Sequence, residues 1–266
     1  MAITDIHIHT KFSADSKESP ENYIAEARRR GIHTVGFSDH CDYDMFLAGD
    51  GSSLLDDKAY FAALDDLRVE NTDVKILSGV ELGYAVGTEE YYGKLLAARP
   101  FDYAILSVHG VKGRGDCYYP AYFDGLEKRE AYELYLNAVL SGVTSDVDFQ
   151  VLGHLGYVVR YAPYPDKRLC YSEFAPVLDN ILKAVIERGA ALELNTRTAN
   201  DNVCVTDISV IKRYVELGGR YFSFGSDAHA VKYYEAKKEK AERLLRELGA
   251  EYTVHFENRR IVKDNL

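Results

Sequence analysis

Seven short runs of apolar and β-branched residues recur along this chain, and a longer amphipathic segment separates each run from the next. This alternation limits the fold more than any other feature, because repeated strand–helix units build a parallel sheet through right-handed crossovers. The predicted strands are ITDIHI (3–8), HTVGFS (33–38), VKILSGV (74–80), DYAILSV (102–108), DFQVLG (148–153), AALELN (190–195) and RYFSFG (220–225).

The segments between these strands carry helix signals. In SPENYIAEARRRG, Ser19 is expected as the N-cap, Pro20 as the first helical residue and Gly31 as the C-terminal stop. Further helices are predicted over residues 56–71, 88–98, 120–141, 172–188, 206–217 and 234–248.

Seven strand–helix units in 266 residues favour a closed or nearly closed barrel over an open doubly wound sheet. No GxGxxG motif follows the first strand to support the open alternative. We therefore expect an α/β fold, a seven-stranded barrel in which residues 1–266 form a single domain. The tail EYTVHFENRRIVKDNL is expected to add a short hairpin or to cover the barrel.

Charge and cysteine content restrict the function further. The formal net charge of -10 argues against a general affinity for nucleic acid or anionic membranes, since such surfaces need clustered Lys and Arg. A small phosphorylated substrate stays possible, because one or two arginines suffice to hold it.

The four cysteines show no CxxC spacing, which predicts reduced thiols in the cytoplasm. The first ten residues lack a signal-peptide pattern, and no run approaches the length of a membrane span.

Histidines and acids follow the predicted strands at their C-terminal ends. His7 and His9 close the first strand, and alternation along a strand directs both imidazoles to one face. Asp15 lies in the SADS loop that follows. Later strands run into SDH, GVE, SVHG, LGH and GSDAH, which contain His40, Glu81, His109, His154, Asp227 and His229. Barrel enzymes assemble their sites at this end of the strands, so these groups should converge.

Imidazole nitrogen beside carboxylate oxygen is a ligand mixture that suits zinc, iron or manganese. Each of these nine side chains alone would more often be a hydrogen-bonded core histidine, a cap or a surface acid. Their joint placement at strand ends favours metal binding, and nine ligands exceed the needs of one ion, so two or three divalent ions are predicted. His33, at the opposite end of its strand, and His255, in the tail, are expected to be structural.

The motifs DIHIHTKFSADS, GFSDH, SGVELGY, LSVHG, VLGHLGYVVRY, ELNTR and FGSDAH, in this order, resemble the PHP (polymerase and histidinol phosphatase) family. The chain length matches its stand-alone histidinol-phosphate phosphatase branch. The resemblance implies a distorted (β/α)7 TIM-like barrel with a trinuclear metal centre at the C-terminal ends of the strands.

Three ligand sets are implied by the resemblance. The first ion would take His7, His9, Glu81 and Asp227. A second ion would share Glu81 and take His109 and His154. The third would take Asp15, His40 and His229. Some family members have histidine at the position of Asp15, where a carboxylate is also a competent ligand.

Two arginines that follow the fifth and sixth strands resemble the phosphate-binding residues of this branch, Arg160 in GYVVRY and Arg197 in NTRT. A guanidinium group can bind phosphate in a bidentate manner, whereas the structural alternative is a surface ion pair. Lys112 and Arg114, in the loop after His109, are weaker candidates for the same task.

The implied activity is hydrolysis of L-histidinol phosphate in histidine biosynthesis. A hydroxide bridging two ions would attack phosphorus, and Glu81 would bridge the ions. A metal-bound water or an acidic neighbour, Asp227 or His229, would protonate the leaving alkoxide. One alternative is a PHP nuclease or nucleotide phosphoesterase, which the acidic composition disfavours. Another is a non-catalytic barrel, which would be expected to have lost ligands. The sequence leaves the oligomeric state open.

Overall fold

A curled parallel sheet surrounded by helices forms the centre of the computed structural model, which describes residues 3–198 and 202–266. The strands are β1 Thr34–Phe37, β2 His40–Cys41, β3 Lys75–Gly83, β4 Tyr103–Ser107, β5 Gly110–Val111, β6 Gly115–Asp116, β7 Val151–Leu152, β8 Ala191–Asn195, β9 Phe222–Gly225, β10 Tyr252–Glu257 and β11 Arg260–Asn265. The α-helices are α1 Pro20–Arg30, α2 Tyr43–Leu47, α3 Asp57–Glu70, α4 Glu89–Ala98, α5 Lys128–Val143, α6 Val158–Tyr161, α7 Tyr171–Glu187, α8 Ile208–Glu216 and α9 Lys238–Glu247.

The main sheet has the order β1-β3-β4-β7-β8-β9, with β2 also paired to β3, and its pairs are parallel. The N-terminal segment lies between the two ends of this order. Ile6 N donates to Phe224 O on one side, and Gly36 N donates to Asp5 O on the other. These hydrogen bonds close the sheet into a barrel, so the predicted α/β barrel class is confirmed.

Several element boundaries differ from the prediction. The N-terminal segment is extended but holds only isolated bridges, Asp5 to Phe224 and Ile8 to Ala228, where a regular strand over 3–8 was expected. Residues 148–153 shorten to the two-residue β7. The helix predicted over 120–141 begins at Lys128, because Pro120 starts a separate 3₁₀ turn and a capping box between Glu127 and Glu130 nucleates α5.

Helix α1 shows how local sequence sets an element. The Ser19 side chain accepts a hydrogen bond from Asn22 N, Pro20 occupies the first turn, and Gly31 ends the helix at φ 70. All three expectations are confirmed, and each has its own cause: an oxygen acceptor for a free N–H group, a preset φ, and a left-handed C-cap.

The C-terminal hairpin β10–β11 covers the end of the barrel at which the strands begin. Val254 and Phe256 pack with interior side chains of the barrel such as Ile6 and Tyr103. Arg259 N also donates to Asp102 O, just before β4. The expected hairpin is therefore present, and it leaves the opposite end of the barrel, where the strands end, for the functional groups. Among the described residues, no helix has both the length and the apolarity needed to cross a bilayer.

We predict opposite effects on stability for two glycine substitutions. A Cβ at Gly79, on β3, would lie 2.2 Å from Tyr103 Cζ and 2.7 Å from Phe37 O. Gly79→Ala should therefore lower the free energy of unfolding by about 1–3 kcal/mol. A Cβ at Gly93, in α4, would meet nothing within 4 Å. Gly93→Ala should raise the free energy by roughly 0.5–1 kcal/mol, since alanine favours helix.

Urea titration, monitored by circular dichroism, measures the free energy of unfolding of both variants and of the unmodified protein. Equal stability of Gly79→Ala and the unmodified protein would contradict the close contact between β3 and Tyr103.

Candidate metal centre

The carboxylate of Glu81 lies fully buried on β3 at the C-terminal end of the barrel, and five imidazoles surround it. Its Oε2 is close to three ring nitrogens and its Oε1 to two more. The separations are 3.3 Å to His7 Nε2, 3.5 Å to His9 Nε2, 2.9 Å to His40 Nδ1, 3.3 Å to His109 Nε2 and 2.8 Å to His154 Nε2. Five imidazoles from four separate segments of the chain therefore converge on one acid.

Much of this cluster is not satisfied by hydrogen bonds. Within the described residues, His7 Nε2, His9 Nε2, His40 Nδ1 and Glu81 Oε2 are buried atoms without a hydrogen-bond partner, although they lie close together. Buried polar atoms are nearly always paired, and an unpaired one costs free energy. A divalent cation among these lone pairs would remove that cost, so the residues present fit a metal centre.

Several overlapping groups have ligand atoms within 4.8 Å of one another. In the described part of the chain these groups are His7–His9–Glu81, Glu81–His109–His154, His7–His154–Asp227, His9–His40–His229 and His40–Asp42–His109. The first two groups lie within the ligand sets expected for the first and second ions. Because Glu81, His7, His9, His40, His109 and His154 each occur in more than one group, the five groups form one continuous cluster of potential ligands.

Asp15 lies at the outer side of the cluster, with 54% of its side chain exposed. Its Oδ2 is 2.8 Å from His229 Nε2 and its Oδ1 is 3.7 Å from His40 Nε2. The His9 ring bridges inward, with centroids 4.2 Å from His40 and 4.1 Å from His229. The three residues expected around a third ion are thus brought together, and His9 faces them as well.

Both expected phosphate-binding arginines reach this cluster by contacting Asp227. Arg160 donates to Asp227 Oδ2 at 2.8 Å, and Arg197 donates to Asp227 Oδ1 at 3.1 Å. The Asn195 amide donates to the same carboxylate at 3.2 Å. Asp227 adopts φ 53, an uncommon left-handed conformation for a residue other than glycine, which is typical of functional sites.

The charges in the cluster change one another's protonation. Burial would raise the pKa of Glu81, but His7, His40 and His109 outweigh it and hold this pKa well below its usual value. Burial would lower the pKa of His40, yet Glu81 and Asp42 raise it to about 9. For His9, burial and the neighbouring histidines His229 and His40 lower the pKa well below its usual value. The metal-free cluster is therefore an ionised carboxylate among imidazoles of unequal basicity.

Comparison with known proteins identifies the family. Residues 5–197 match the PHP domain. The chain is 33% identical to a histidinol-phosphatase of Lactococcus lactis over 98% of this chain and 96% of that protein. This chain belongs to the PHP domain family. The predicted resemblance is thereby confirmed.

Solved structures show that the fold is shared as well. A crystal structure of histidinol phosphate phosphatase from Lactococcus lactis, complexed with Zn, L-histidinol and phosphate, superposes with a TM-score of 0.89 at 30% identity, covering 98% of this chain and 99% of that one. A structure from Listeria monocytogenes superposes with a TM-score of 0.76 at 20% identity, covering 89% and 99%. The second likeness concerns the fold alone. The distorted TIM-like barrel of this PHP domain is therefore confirmed.

Sequence reasoning missed two carboxylates behind the imidazoles. Glu193, on β8, lies 2.5 Å from His7 Nδ1 through Oε1, and its Oε2 accepts hydrogen bonds from His154 N at 2.6 Å and Asn195 Nδ2 at 3.2 Å. Asp42 lies 2.8 Å from His109 Nδ1. A signal for Glu193 existed, because an acid at the centre of the apolar strand ALELN needs a buried partner.

The two remaining histidines, His33 and His255, lie outside the cluster, as predicted. His33 is exposed at the start of β1. His255 is buried on β10 and lies 2.9 Å from Asp264 Oδ2. The two weaker candidates for phosphate binding make hydrogen bonds elsewhere. Lys112 donates to Val86 O, and Arg114 donates to Asp124 O.

We predict that Glu193→Gln weakens metal binding. Both Glu193 oxygens accept hydrogen bonds from donors, so an amide NH₂ group at either position would face a donor. Outer carboxylates that orient metal-bound histidines contribute about 10- to 100-fold to metal affinity. Zinc affinity, measured by competition with a chromophoric chelator, should fall by that amount.

Asp264→Asn is the matched control, because it alters a carboxylate behind a histidine outside the cluster. It should lower thermal stability while leaving zinc affinity unchanged. If both variants bound zinc like the unmodified protein, Glu193 would have no part in holding His7.

Proposed function

We propose that residues 1–266 form one catalytic domain that hydrolyses L-histidinol phosphate to L-histidinol and phosphate. The observation that carries this proposal is the buried Glu81 carboxylate, with five imidazoles around it and two arginines at its edge. It is supported by the alignment of almost the whole chain with a Lactococcus lactis enzyme whose crystal structure contains Zn, L-histidinol and phosphate.

We propose two or three divalent ions in this centre, of zinc, iron or manganese. The residues that would hold them offer imidazole nitrogens or carboxylate oxygens at the C-terminal end of the barrel, and Asp15 is the most exposed of them. They are His7, His9, Asp15, His40, Glu81, His109, His154, Asp227 and His229. Such ions, when bound, lower the pKa of water and neutralise charge on phosphoryl oxygens. Glu81 is suited to be shared between ions, because its two oxygens face different imidazoles.

The two arginines are suited to hold the phosphoryl group. Arg197 has 44% of its side chain exposed, whereas Arg160 is largely buried and also donates to Asn195 Oδ1 at 2.8 Å. Their donors already meet around an anion, the Asp227 carboxylate, so a phosphate placed beside it would meet the same guanidinium groups. Arg160 would fix the phosphate from within the barrel, and Arg197 would close on it from solvent.

The leaving alkoxide needs a proton donor. Burial opposes the ionisation of Asp227, but Arg160, His9, His7 and Arg197 outweigh it and hold its pKa well below the usual value. An ionised Asp227 is suited to bind a cation or to take up a proton, not to supply one. His229, whose Nδ1 lies 3.5 Å from Asp227 Oδ1, is therefore the better candidate of the two for protonating the leaving alkoxide.

The acids near His109 favour a cationic alcohol over a nucleotide as the leaving group. Asp42 contacts His109, and Asp44 and Asp116 lie near the same histidine, whose positive charge favours the ionised form of both carboxyls. Negative charge at this edge would attract the ammonium group of histidinol and repel a polynucleotide. Substrate preference among phosphate esters is therefore the property to test.

We predict that the protein reconstituted with zinc or manganese releases phosphate from L-histidinol phosphate at least ten times more efficiently (kcat/KM) than from nucleoside monophosphates. Malachite-green detection over a panel of phosphate esters and single-stranded oligonucleotides measures this. Glu81→Ala should keep the fold by circular dichroism yet lose metal and turnover, which controls for contaminating phosphatases. A preference for nucleotides or oligonucleotides would be compatible with the proposed metal centre but would contradict the proposed substrate.

A second prediction concerns the arginines. Arg197→Lys and Arg160→Lys keep the charge and lose the bidentate geometry, so each should raise KM for L-histidinol phosphate about 10- to 100-fold. Arg213→Lys is the matched control, since Arg213 pairs with Asp179 between α8 and α7. Steady-state kinetics with metal held in excess should show no change for the control. An unchanged KM in both site variants would remove the arginines from phosphate binding.

A further inference from the structure

The hydroxyl of Ser13 joins two of the proposed metal ligands to a carboxylate that is not among them. Ser13 Oγ lies 3.1 Å from His9 Nδ1, 3.0 Å from the His40 backbone nitrogen and 2.7 Å from Asp39 Oδ1. Ser13 and Asp39 are both buried. Three groups thus compete for a hydroxyl that has one proton and two lone pairs.

The donor and the acceptor in each of these three hydrogen bonds follow from the groups involved. The His40 backbone N–H group can only donate. Asp39 already accepts from the Thr10 backbone at 2.6 Å and from the Thr10 hydroxyl at 2.9 Å, so its carboxylate is used as an acceptor. The Ser13 proton therefore points to Asp39, and both Ser13 lone pairs receive donors. One donor is the His40 N–H group and the other must be the Nδ1–H group of His9.

We propose that Asp39 and Ser13 are positioning residues that hold His9 in its Nδ1-protonated tautomer and so prepare His9 Nε2 to bind a divalent cation. That Nε2 atom lies 3.5 Å from Glu81 Oε2 and 3.5 Å from Asp227 Oδ1, at the centre of the cluster. The inference rests on the proposed metal centre and names two residues that support it.

The same pair also ties the ligands to the barrel. Asp39 O accepts the backbone N–H of Glu81 at 3.1 Å, so one residue anchors the central carboxylate through its main chain and His9 through its side chain. Ser13 fixes the His40 backbone in addition to the His9 ring. His7 differs, because Glu193 contacts its Nδ1 directly. The two imidazoles of the first motif are thus oriented by different chemistry, a carboxylate for His7 and a hydroxyl–carboxylate relay for His9.

Nuclear magnetic resonance of the metal-free full chain, with ¹⁵N-labelled histidine, tests the tautomer directly. His9 should show a protonated Nδ1 and an unprotonated Nε2. In Ser13→Ala this preference should be lost, and zinc affinity should fall about 10- to 100-fold for at least one ion. Ser223→Ala is the matched control: Ser223 is buried on β9, and its hydroxyl has no hydrogen-bond partner among residues 3–198 and 202–266. It should leave both the tautomer and the zinc affinity unchanged.

Two substitutions of Asp39 separate the relay from simple packing. Asp39→Asn keeps an oxygen that can accept the Ser13 proton, whereas Asp39→Ala removes it, so Asp39→Ala should lose more zinc affinity. Protonation of His9 at Nε2 in the unmodified protein, or a zinc affinity of Ser13→Ala equal to that of Ser223→Ala, would overturn the relay alone. Failure of the unmodified protein to bind zinc would instead overturn the metal centre and the inference together.

Discussion

The candidate site depends on one unfavourable burial, that of the Glu81 carboxylate at the centre of five imidazoles. A charge removed from water is costly unless it is paired, and here the pairing groups arrive from four separate segments of the chain. No local stretch could supply them, because strand geometry spaces its side chains too widely for more than two to meet at one point. A closed parallel barrel solves this, since the C-terminal ends of its strands meet at one opening.

The segment that closes the barrel also carries two of the proposed metal ligands. The N-terminal segment completes the barrel by hydrogen bonds to the segments on either side, and the same residues carry His7 and His9. Asp227 N donates to His7 O, so the backbone that closes the barrel also sets the distance between two proposed ligands. The segment forms two isolated bridges instead of a regular ladder, Asp5 to Phe224 and Ile8 to Ala228, and the second lies between the two proposed ligands His7 and His9.

The barrel and the convergence of the histidines and acids after its strands could be predicted from the sequence, because both follow from periodicity and from the direction of parallel strands. Glu81, His109 and His154 could be placed in this way without knowing a single contact. The role of Glu193 could not be predicted, since it depends on the contact with His7 from another segment of the chain, and that contact depends on strand register. Ser13 and Asp39 were missed for the same reason: a serine in a loop and an acid between strands have no pattern of their own. Helix starts such as Lys128 depended on side-chain caps competing with a proline turn.

The residues of the site differ in exposure, and this difference shows which side of the site faces solvent. His7, Glu81 and His154 are almost fully buried, while Asp15 and Arg197 lie partly in solvent on the outer side. Under the proposed function, a phosphate ester can enter only from that outer side, so its phosphoryl group would meet Arg197 before it reaches Arg160. Glu193 holds the His7 ring through Nδ1 and also accepts the His154 backbone N–H, so neither of these inner residues needs to move during turnover. Arg197 has no such burial, and it is therefore the group whose position a substrate can change at least cost.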